Sequence, residues 1–323
     1  MPITDLISIR DLSPEEMEYI IFLGRQIKAR PFAYREALQG KTLAMIFEKP
    51  SLRTRVSFDV GIRQLGGSSI YLSPAEINLG RRESVHDVAK NLERMVQAIV
   101  IRTFAHEIVE QMAAYCEIPV INGLTDFSHP CQAMADYLTI FEVKGRVKGR
   151  KIAFVGDGNN VAHSLLFGAA QLGANIWIST PPQYGPRAEA VSWALDRASL
   201  TNGTVNITHD PRAAVRGADI VYTDVWTSMG QESEAEERRD AFRPYQVNRE
   251  LFALAKRDAL FMHCLPAHRG EEVTADIIDS GQSVVFQQAE NRLHVQKAIM
   301  IELMQHMPLE VMRPAHAAEL EVV

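Results

Sequence analysis

Short apolar runs alternate with longer stretches of helical periodicity along the chain. Eight such runs predict strands, at residues 42–47, 98–101, 119–121, 152–155, 175–179, 205–208, 220–223 and 260–263. Between them, Phe58, Ile62 and Leu65 fall at i, i+4 and i+7, which gives that segment one apolar helical face. Strands that alternate with helices are typical of βα units, so we expect an α/β fold with mainly parallel sheets.

The segment "EVKGRVKGRKIAF" divides this pattern into two α/β halves. It carries two glycines and five basic residues between a predicted helix and a new strand, which favours a boundary there. We therefore expect two domains, 1–143 and 150–290, each with a central mainly parallel sheet and joined by interdomain helices. A last helix, assigned to 291–308 and starting near Glu290, is expected to pack back on the first domain; the tail 309–323 has little periodicity.

Composition and charge exclude several classes of protein. Of 323 residues, 46% are hydrophobic and 23% are charged, with a net charge of −6 and a pI near 6.0. Nucleic-acid and membrane-surface partners are not expected, because both call for a basic surface. No apolar run approaches the roughly 18 residues of a spanning helix, and no leader-like pattern opens the chain, so the expected location is cytoplasmic. The three cysteines, Cys116, Cys131 and Cys264, are widely spaced and odd in number, so they indicate neither a CxxC metal site nor a disulfide framework.

The stretch "SLRTR" at 51–55 lies where a predicted strand and a proline give way to a helix. The first amides of a helix and the positive end of its dipole bind anions, and Arg53 adds a bidentate donor. Ser51 is a hydroxyl donor in this interpretation and an ordinary helix cap in the alternative one. From this stretch alone the two interpretations stand about even.

Other polar residues follow other strands and belong at the same sheet edge. Arg102 ends the run "AIVIR", His129 precedes a helix whose first turn holds Gln132, and "HCLPAHRG" follows the strand at 260–263. Ligands of open α/β sheets bind at this edge. We expect Pro266 to hold Leu265 in extended geometry, which leaves the carbonyls of Cys264 and Leu265 free as acceptors. Taken singly, Arg102 is more simply a salt-bridged strand end and His129 a hydrogen-bonded loop histidine. Taken together, the polar groups at this edge suit a ligand with a phosphate, a carbonyl and an amino group.

Five motifs in one order, "SLRTR", "HPCQ", "DVWTSMG", "HCLP" and "AENRLH", resemble the aspartate/ornithine carbamoyltransferase family over residues 5 to 305. "DVWTSMG" and "HCLPAHRG" resemble its ornithine-specific members. The resemblance implies transfer of a carbamoyl group from carbamoyl phosphate to the δ-amino group of L-ornithine, which yields L-citrulline and phosphate. It implies no cofactor and no metal.

The resemblance also assigns site residues in both halves. The implied carbamoyl-phosphate site comprises Ser51, Leu52, Arg53, Thr54, Asn78, Arg102, His129, Gln132, Cys264, Leu265 and Arg292. The implied ornithine site comprises Asn160, Asp224, Ser228 and Met229, and the implied catalytic residues are Arg102, His129, Cys264 and Asp224.

Two positions depart from the family pattern. Many members have threonine where Leu52 stands, so this residue is left with a backbone role. Many have glutamine where Asn78 stands, and the shorter side chain weakens the case for its contact with carbamoyl phosphate. In related enzymes the loop around Asn78 reaches the neighbouring subunit, which implies a homotrimer or a multiple of it.

Carbamoyl transfer sets clear chemical demands. A neutral amine must attack a carbonyl whose oxygen becomes negative, and Arg102, His129 and Thr54 are expected to stabilise that oxygen. Asp224 is expected to pair with the α-ammonium, and Cys264 to hold the δ-amine, with acceptance of its proton as a further role to test. Without the resemblance, Cys264 is interpreted as a small buried residue. The charge-rich segment "SMGQESEAEERRDAF" is either a solvated loop or a lid over the amino acid, which would give Ser228, Met229 and Gly230 contact with the substrate.

Parts of the sequence also suit functions other than carbamoyl transfer to ornithine. "FVGDGNNVAHSLL" places Gly156 and Gly158 as in a dinucleotide-binding turn, but Val161 stands at the third glycine, so an NAD(P)-dependent oxidoreductase is a weak alternative. A catalytically silent homologue is disfavoured because the expected polar positions are filled. Within the enzyme class, aspartate, putrescine or acetylornithine are the alternative acceptors.

Overall fold

Two parallel sheets form the frame of the chain. The computed structural model describes residues 3–77, 79–80, 82–228 and 230–305, so Asn78, Met229, and residues 306–323, which include the tail, lie outside the described residues. The first sheet has the order β2-β1-β3-β4, from β1 Thr42–Phe47, β2 Ser68–Leu72, β3 Ala98–Arg102 and β4 Val120–Leu124. The second has the order β7-β6-β5-β8-β9, from β5 Lys151–Val155, β6 Asn175–Ser179, β7 Thr204–Thr208, β8 Ile220–Thr223 and β9 Leu260–His263. All pairings between these strands are parallel, which confirms the predicted fold class.

The eight predicted strands all appear, and one further strand, β2, was missed. β2 has the sequence "SSIYL" and lies at the edge of the first sheet, where none of its side chains is fully buried. Two of its five residues are serines, so its apolar signal is weak. Its edge position is not the reason, because the edge strands β4, β7 and β9 were all recognised.

Thirteen α-helices connect and cover the sheets in the described part of the chain. They are α1 Pro14–Ala29, α2 Leu52–Gln64, α3 Pro74–Ile77, α4 Val85–Leu92, α5 His106–Tyr115, α6 Pro130–Lys144, α7 Asn160–Leu172, α8 Ala188–Thr201, α9 Pro211–Val215, α10 Ala235–Phe242, α11 Arg249–Phe252, α12 Ala275–Ile278 and α13 Val285–Gln305. None of them is both long and apolar enough to cross a membrane.

Local sequence explains where the helices around the site begin and end. α6 has Pro130 at its first position, where a missing N–H costs no hydrogen bond. It ends at Gly145, whose φ of 74° is the left-handed conformation that closes many helices. α7 begins at an Asn159 cap, whose Oδ1 accepts hydrogen bonds from the amides of Val161 and Ala162. Both helices start at the C-terminal edge of their sheet.

Close packing of α6 on α7 joins the two halves. A methyl group added at Gly168 of α7 would lie 2.1 Å from the ring of Tyr137 on α6, so only glycine fits there. The long helix α13 packs against α1, α2 and α6 of the first half and also contacts β9. The strand ends of both sheets are thereby held around a shared space.

Candidate active site

One cavity of about 980 Å³ lies where strand ends of both sheets meet. Helices α2, α6 and α7 begin at its wall, and the segments that follow β8 and β9 complete it. The expected site residues that line it are Ser51, Leu52, Arg53, Arg102, His129, Gln132, Asn160, Asp224, Ser228, Cys264, Leu265 and Arg292. Thr54 is fully buried behind this wall, where it is hydrogen-bonded to Arg292. We call this space the central cavity.

Ser51 caps helix α2 at the wall of the central cavity. Its Oγ accepts a hydrogen bond from the amide of Thr54 at 3.2 Å, so the capping interpretation is correct. Because the oxygen is the acceptor in this bond, the hydroxyl hydrogen stays available to a ligand. The side chain of Leu52 is 73% exposed, which leaves its backbone N–H as the group that can serve an anion.

Arg53 bridges the two halves across the central cavity. Its Nη2 donates a hydrogen bond of 2.6 Å to the carbonyl of Leu265. The expected extended geometry of Leu265 is wrong: its φ is 59°, and the peptide bond to Pro266 is cis. Its carbonyl is also not free, although a carbonyl oxygen has a second lone pair for a ligand. The preference of a residue before proline is overridden here, where Arg53 bonds to the Leu265 carbonyl and the Leu265 amide donates to Nδ1 of the nearby His263 at 2.8 Å.

Three guanidinium groups stand together at one end of the central cavity. Arg102 and Arg292 are 5% and 3% exposed, and among the described residues the buried Nε atoms of Arg53, Arg102 and Arg292 have no hydrogen-bond partner. In the described part of the chain none of the three forms an ion pair. Burial, followed by the charges of Arg292 and Arg53, lowers the pKa of Arg102 to about 9, which leaves it protonated at neutral pH. This excess of buried positive charge suits an anion with more than one charge.

His129 lies beside these arginines at the start of α6. Its backbone amide donates to Ser164 Oγ at 2.8 Å, and its buried Nδ1 has no hydrogen-bond partner within the ranges that the structure describes. Burial, reinforced by the three neighbouring arginines, holds the pKa of His129 well below its usual range. The imidazole is therefore neutral at neutral pH and can donate one hydrogen bond without adding charge.

Gln132 and Arg292 connect three helices at the cavity wall. Arg292 of α13 donates from Nη1 to Gln132 Oε1 at 3.1 Å and from Nη2 to Thr54 Oγ1 at 2.6 Å. The hydroxyl of Thr54 accepts in this contact, so its hydrogen can be donated elsewhere. Gln132 keeps an acceptor lone pair on Oε1, as an amide-binding role requires.

Asp224 and Cys264 form a pair on the opposite side of the central cavity. The Cys264 thiol donates to Asp224 Oδ1 at 2.9 Å, and the other carboxylate oxygen accepts from Asn159 Nδ2 at 2.9 Å. Burial, together with the Asp224 charge, raises the pKa of Cys264 well above its usual value. The thiol therefore stays protonated, which makes it a poor proton acceptor.

Asn160 and Ser228 lie near the same pair. Asn160 Nδ2 donates to the carbonyl of Thr125, which leaves Oδ1 as its free polar atom. Ser228 starts the charge-rich segment, and its amide donates to Gln231 Oε1 at 3.1 Å. Part of that segment is helix α10, which is anchored by the buried Arg238 through a 2.6 Å ion pair to Asp157. The segment is thus more ordered than a plain solvated loop.

Two residues at the cavity were missed by the sequence analysis. Lys49 is 7% exposed, its Nζ lies 4.1 Å above the ring centroid of Phe104, and burial and the Arg102 charge lower its pKa. Its position directly before Pro50 and "SLRTR" was the available signal. Asn159 holds Asp224 and was assigned no role, because its contact joins residues 65 positions apart.

The glycines of the dinucleotide-like turn have a structural explanation. A methyl group at Gly158 would lie 2.2 Å from the nitrogen of Pro186, so this glycine permits close packing of two loops. The amides of Val161 and Ala162 at the start of α7 are already taken by Asn159 Oδ1. A pyrophosphate would need those amides, so the turn does not have the form of a nicotinamide-dinucleotide site.

The potential metal ligands near Cys264 are engaged with one another. Asp224 and Cys264 share a hydrogen bond, and His263 uses Nδ1 for the Leu265 amide and Nε2 for Glu272 Oε1 at 3.1 Å. A metal ion would have to replace these contacts.

Comparisons with known proteins agree with this geometry. Residues 4–142 match the family model described as the carbamoyl-P binding domain of aspartate/ornithine carbamoyltransferase, and residues 148–303 match its Asp/Orn binding domain. The ornithine carbamoyltransferase of Thermococcus kodakarensis is 54% identical over 305 residues, which is 93% of this chain and 96% of the relative. That of Bacillus subtilis is 54% identical over 296 residues, 92% of each chain. The structure of ornithine carbamoyltransferase from Pyrococcus furiosus superimposes with a TM-score of 0.91 at 52% identity, covering 94% of this chain and 98% of that one. The chain belongs to the aspartate/ornithine carbamoyltransferase family.

Proposed function

We propose that this chain transfers the carbamoyl group of carbamoyl phosphate to the δ-amino group of L-ornithine, giving L-citrulline and phosphate in arginine metabolism. The observation that carries the proposal is the polarity of the central cavity. Buried guanidinium groups that have no counterion among the described residues stand at one end, and a carboxylate with a thiol stands at the other. A dianionic donor and a diamino acid match these two ends.

Carbamoyl phosphate is assigned to the arginine end. Its phosphate would bind at the start of α2 and accept from Ser51, from the Leu52 amide and from the buried guanidinium groups, with Arg53 aimed by its bond to Leu265. Its amino group would donate to Gln132 Oε1 and to the carbonyls of Cys264 and Leu265. Arg292 supports the wall by holding Gln132 and Thr54.

The carbonyl oxygen of carbamoyl phosphate would face Arg102, His129 and Thr54. Arg102 supplies positive charge, and His129 supplies a neutral N–H in a site from which water is largely excluded. Such donors favour the tetrahedral intermediate, whose oxygen carries the negative charge, over the uncharged carbonyl.

Ornithine is assigned to the Asp224 end. The carboxylate of Asp224 would pair with the α-ammonium, and Asn160 and Ser228 offer polar atoms for the remainder of the amino-acid group. The high pKa of the Cys264 thiol argues against its removing the proton of the δ-amine. We assign Cys264 instead to holding the amine through its sulfur lone pairs, while its S–H continues to donate to Asp224.

Asn78 is still proposed to contact carbamoyl phosphate, and Met229 to contact ornithine. The resemblance to the family is the support for both assignments. The division into a carbamoyl-phosphate domain at 1–143, an ornithine domain at 150–290, a returning helix at 291–308 and a tail is likewise part of the proposal. A homotrimer and a cytoplasmic location stay predictions. Sedimentation velocity tests the first: a monomer in solution would contradict it.

The direct test is one assay of the purified chain with carbamoyl phosphate and a panel of acceptors. Ornithine is expected to yield citrulline, whereas aspartate, putrescine and N-acetylornithine are expected to yield little product. Product from another acceptor and none from ornithine would overturn the substrate assignment. No product from any acceptor would overturn the proposed activity.

A further inference from the structure

A buried carboxylate, Asp136, joins three structural elements behind the central cavity. It lies on α6 one turn after Gln132 and is fully buried. Its Oδ1 accepts from Gln132 Nε2 at 2.8 Å and from Gln288 Nε2 at 2.7 Å, and its Oδ2 accepts from Tyr222 Oη at 3.1 Å. The three donors come from α6, α13 and β8, so both halves of the chain meet at this side chain.

This arrangement decides which way the amide of Gln132 points. Burial raises the pKa of Asp136 to about 7, so its ionised form is populated from neutral pH upward. That form only accepts hydrogen bonds, so it selects the NH₂ of Gln132. On the other side, the guanidinium of Arg292 only donates, and it selects Oε1, at 3.1 Å. A flipped amide would place oxygen against oxygen and NH₂ against guanidinium. Asp136 and Arg292 therefore both favour the same orientation of the Gln132 amide, with Oε1 on the side of Arg292.

We propose that Asp136 is a positioning residue, which acts through Gln132 to present an amide oxygen, and not an NH₂ group, to the amino group of carbamoyl phosphate. The inference rests on the proposed function, since it needs a ligand whose NH₂ group contacts Gln132. It gives a functional reason for a buried carboxylate that has no cationic side chain among its hydrogen-bond partners in the described part of the chain.

The links to Gln288 and Tyr222 extend this role to the second half. Gln288 Oε1 accepts from the backbone amide of His263 at 3.0 Å, and His263 directly precedes Cys264. The carboxylate that orients Gln132 is thus two hydrogen bonds away from the strand that carries the other acceptors of the carbamoyl NH₂ group. Asp136 is therefore connected by hydrogen bonds both to Gln132 and to the strand that precedes the Cys264 and Leu265 carbonyls.

The test is Asp136→Asn, which keeps the shape of the side chain and removes its acceptor-only character. The loss of one oriented hydrogen bond is expected to raise the KM for carbamoyl phosphate about tenfold. Inhibition by inorganic phosphate is expected to change less than about twofold, because the phosphate end does not contact Gln132. Equal weakening of both, or an unchanged KM, would overturn the proposal. A wild-type chain that makes no citrulline would instead overturn the proposed function, so the two failures are distinguishable.

Two further variants separate positioning from a purely structural role. Tyr222→Phe removes a hydrogen bond to Asp136 and leaves the Gln132 contact, so its KM for carbamoyl phosphate is expected to stay within about twofold of wild type. Gln132→Met removes the amide through which Asp136 is proposed to act. In that background, Asp136→Asn is expected to cause no further change in the KM for carbamoyl phosphate, because the effects of two residues that act through one group are not additive. If Asp136→Asn does not fold, Tyr222→Phe still tests the proposal. A tenfold rise in its KM for carbamoyl phosphate would overturn the proposal, because it would show that Asp136 acts through its contact with the second half and not through Gln132.

Discussion

Replacing Arg102 with methionine is expected to stabilise the ligand-free protein while it abolishes most activity. Arg102 is 5% exposed, has no ion pair in the described part of the chain and stands beside Arg53 and Arg292. Its pKa falls from 12.5 to about 9 because burial and these neighbours disfavour the charged form. At neutral pH the guanidinium is charged in both the folded and the unfolded state, so this penalty is fully present in the fold.

The magnitude follows from that pKa. At 1.36 kcal/mol per pKa unit, the change to about 9 corresponds to roughly 5 kcal/mol. Relaxation and water at the cavity wall reduce such penalties, so we expect Arg102→Met to stabilise the ligand-free fold by about 1–3 kcal/mol. In catalysis, loss of one donor to the developing oxyanion typically lowers kcat by about 10²–10³. Stability and activity are thus expected to move in opposite directions.

The assay combines denaturant unfolding without ligand, kcat for citrulline formation, and inhibition by inorganic phosphate. We expect the phosphate affinity to fall much less than kcat, because Arg53 and the start of α2 remain. Arg292→Met is the matched control: it also removes a buried guanidinium, but it leaves Thr54 Oγ1 and Gln132 Oε1 without their donor, so it is expected to lower stability. A less stable Arg102→Met protein, or equal losses in kcat and phosphate affinity, would refute the reasoning.

Three further predictions concern other parts of the molecule. Asp224→Asn is expected to raise the KM for ornithine about 10–100-fold, because the charged pair with the α-ammonium is lost together with the bond from Asn159. The remaining amide oxygen can still accept from Cys264, so the KM for carbamoyl phosphate is expected to stay within about twofold; steady-state kinetics decides, and a shift of that KM would contradict the assignment. Leu52→Ala is expected to leave both constants unchanged, because the side chain is 73% exposed; a large effect would show that more than its backbone N–H is used. Burial, reinforced by Glu16, raises the pKa of Glu302 from 4.5 to about 7, so the fold binds a proton that the unfolded chain loses and stability falls as pH rises across that window. Glu302→Gln is therefore expected to gain about 1–2 kcal/mol over wild type at pH 8 and nothing near pH 4, and an equal gain in unfolding free energy at both pH values would contradict this.

The sequence predicted those features that depend on local pattern. Eight strands, including the edge strands β4, β7 and β9, were recognised from their apolar residues, whereas β2, with two serines in five residues and no fully buried side chain, was not. The grouping of Arg102, His129 and Gln132 at one edge followed from the rule that parallel strands end together. The structure places these residues at the same cavity.

The features that escaped prediction depend on contacts between distant parts of the chain. The preference of a residue before proline pointed to an extended Leu265, but hydrogen bonds from Arg53 and to His263 accompany a φ of 59° instead. The bond between Asn159 and Asp224 joins positions that no local pattern relates. Asp136 likewise has no meaning in the sequence until Tyr222 and Gln288 are brought to it by the packing of the two halves.

Elsewhere in the same molecule, buried arginines are paired. Arg238 is 3% exposed and contacts Asp157 at 2.6 Å, and the half-buried Arg150 contacts the buried Asp219 at 3.1 Å. At the central cavity, Arg102 and Arg292 are just as buried as Arg238 and have no carboxylate partner in the described part of the chain. A permanent carboxylate there would relieve the repulsion, but it would also occupy the position that an anionic substrate needs. The unpaired arginines are therefore best explained by a ligand that brings the missing negative charge, because the fold alone gains nothing from leaving them unpaired.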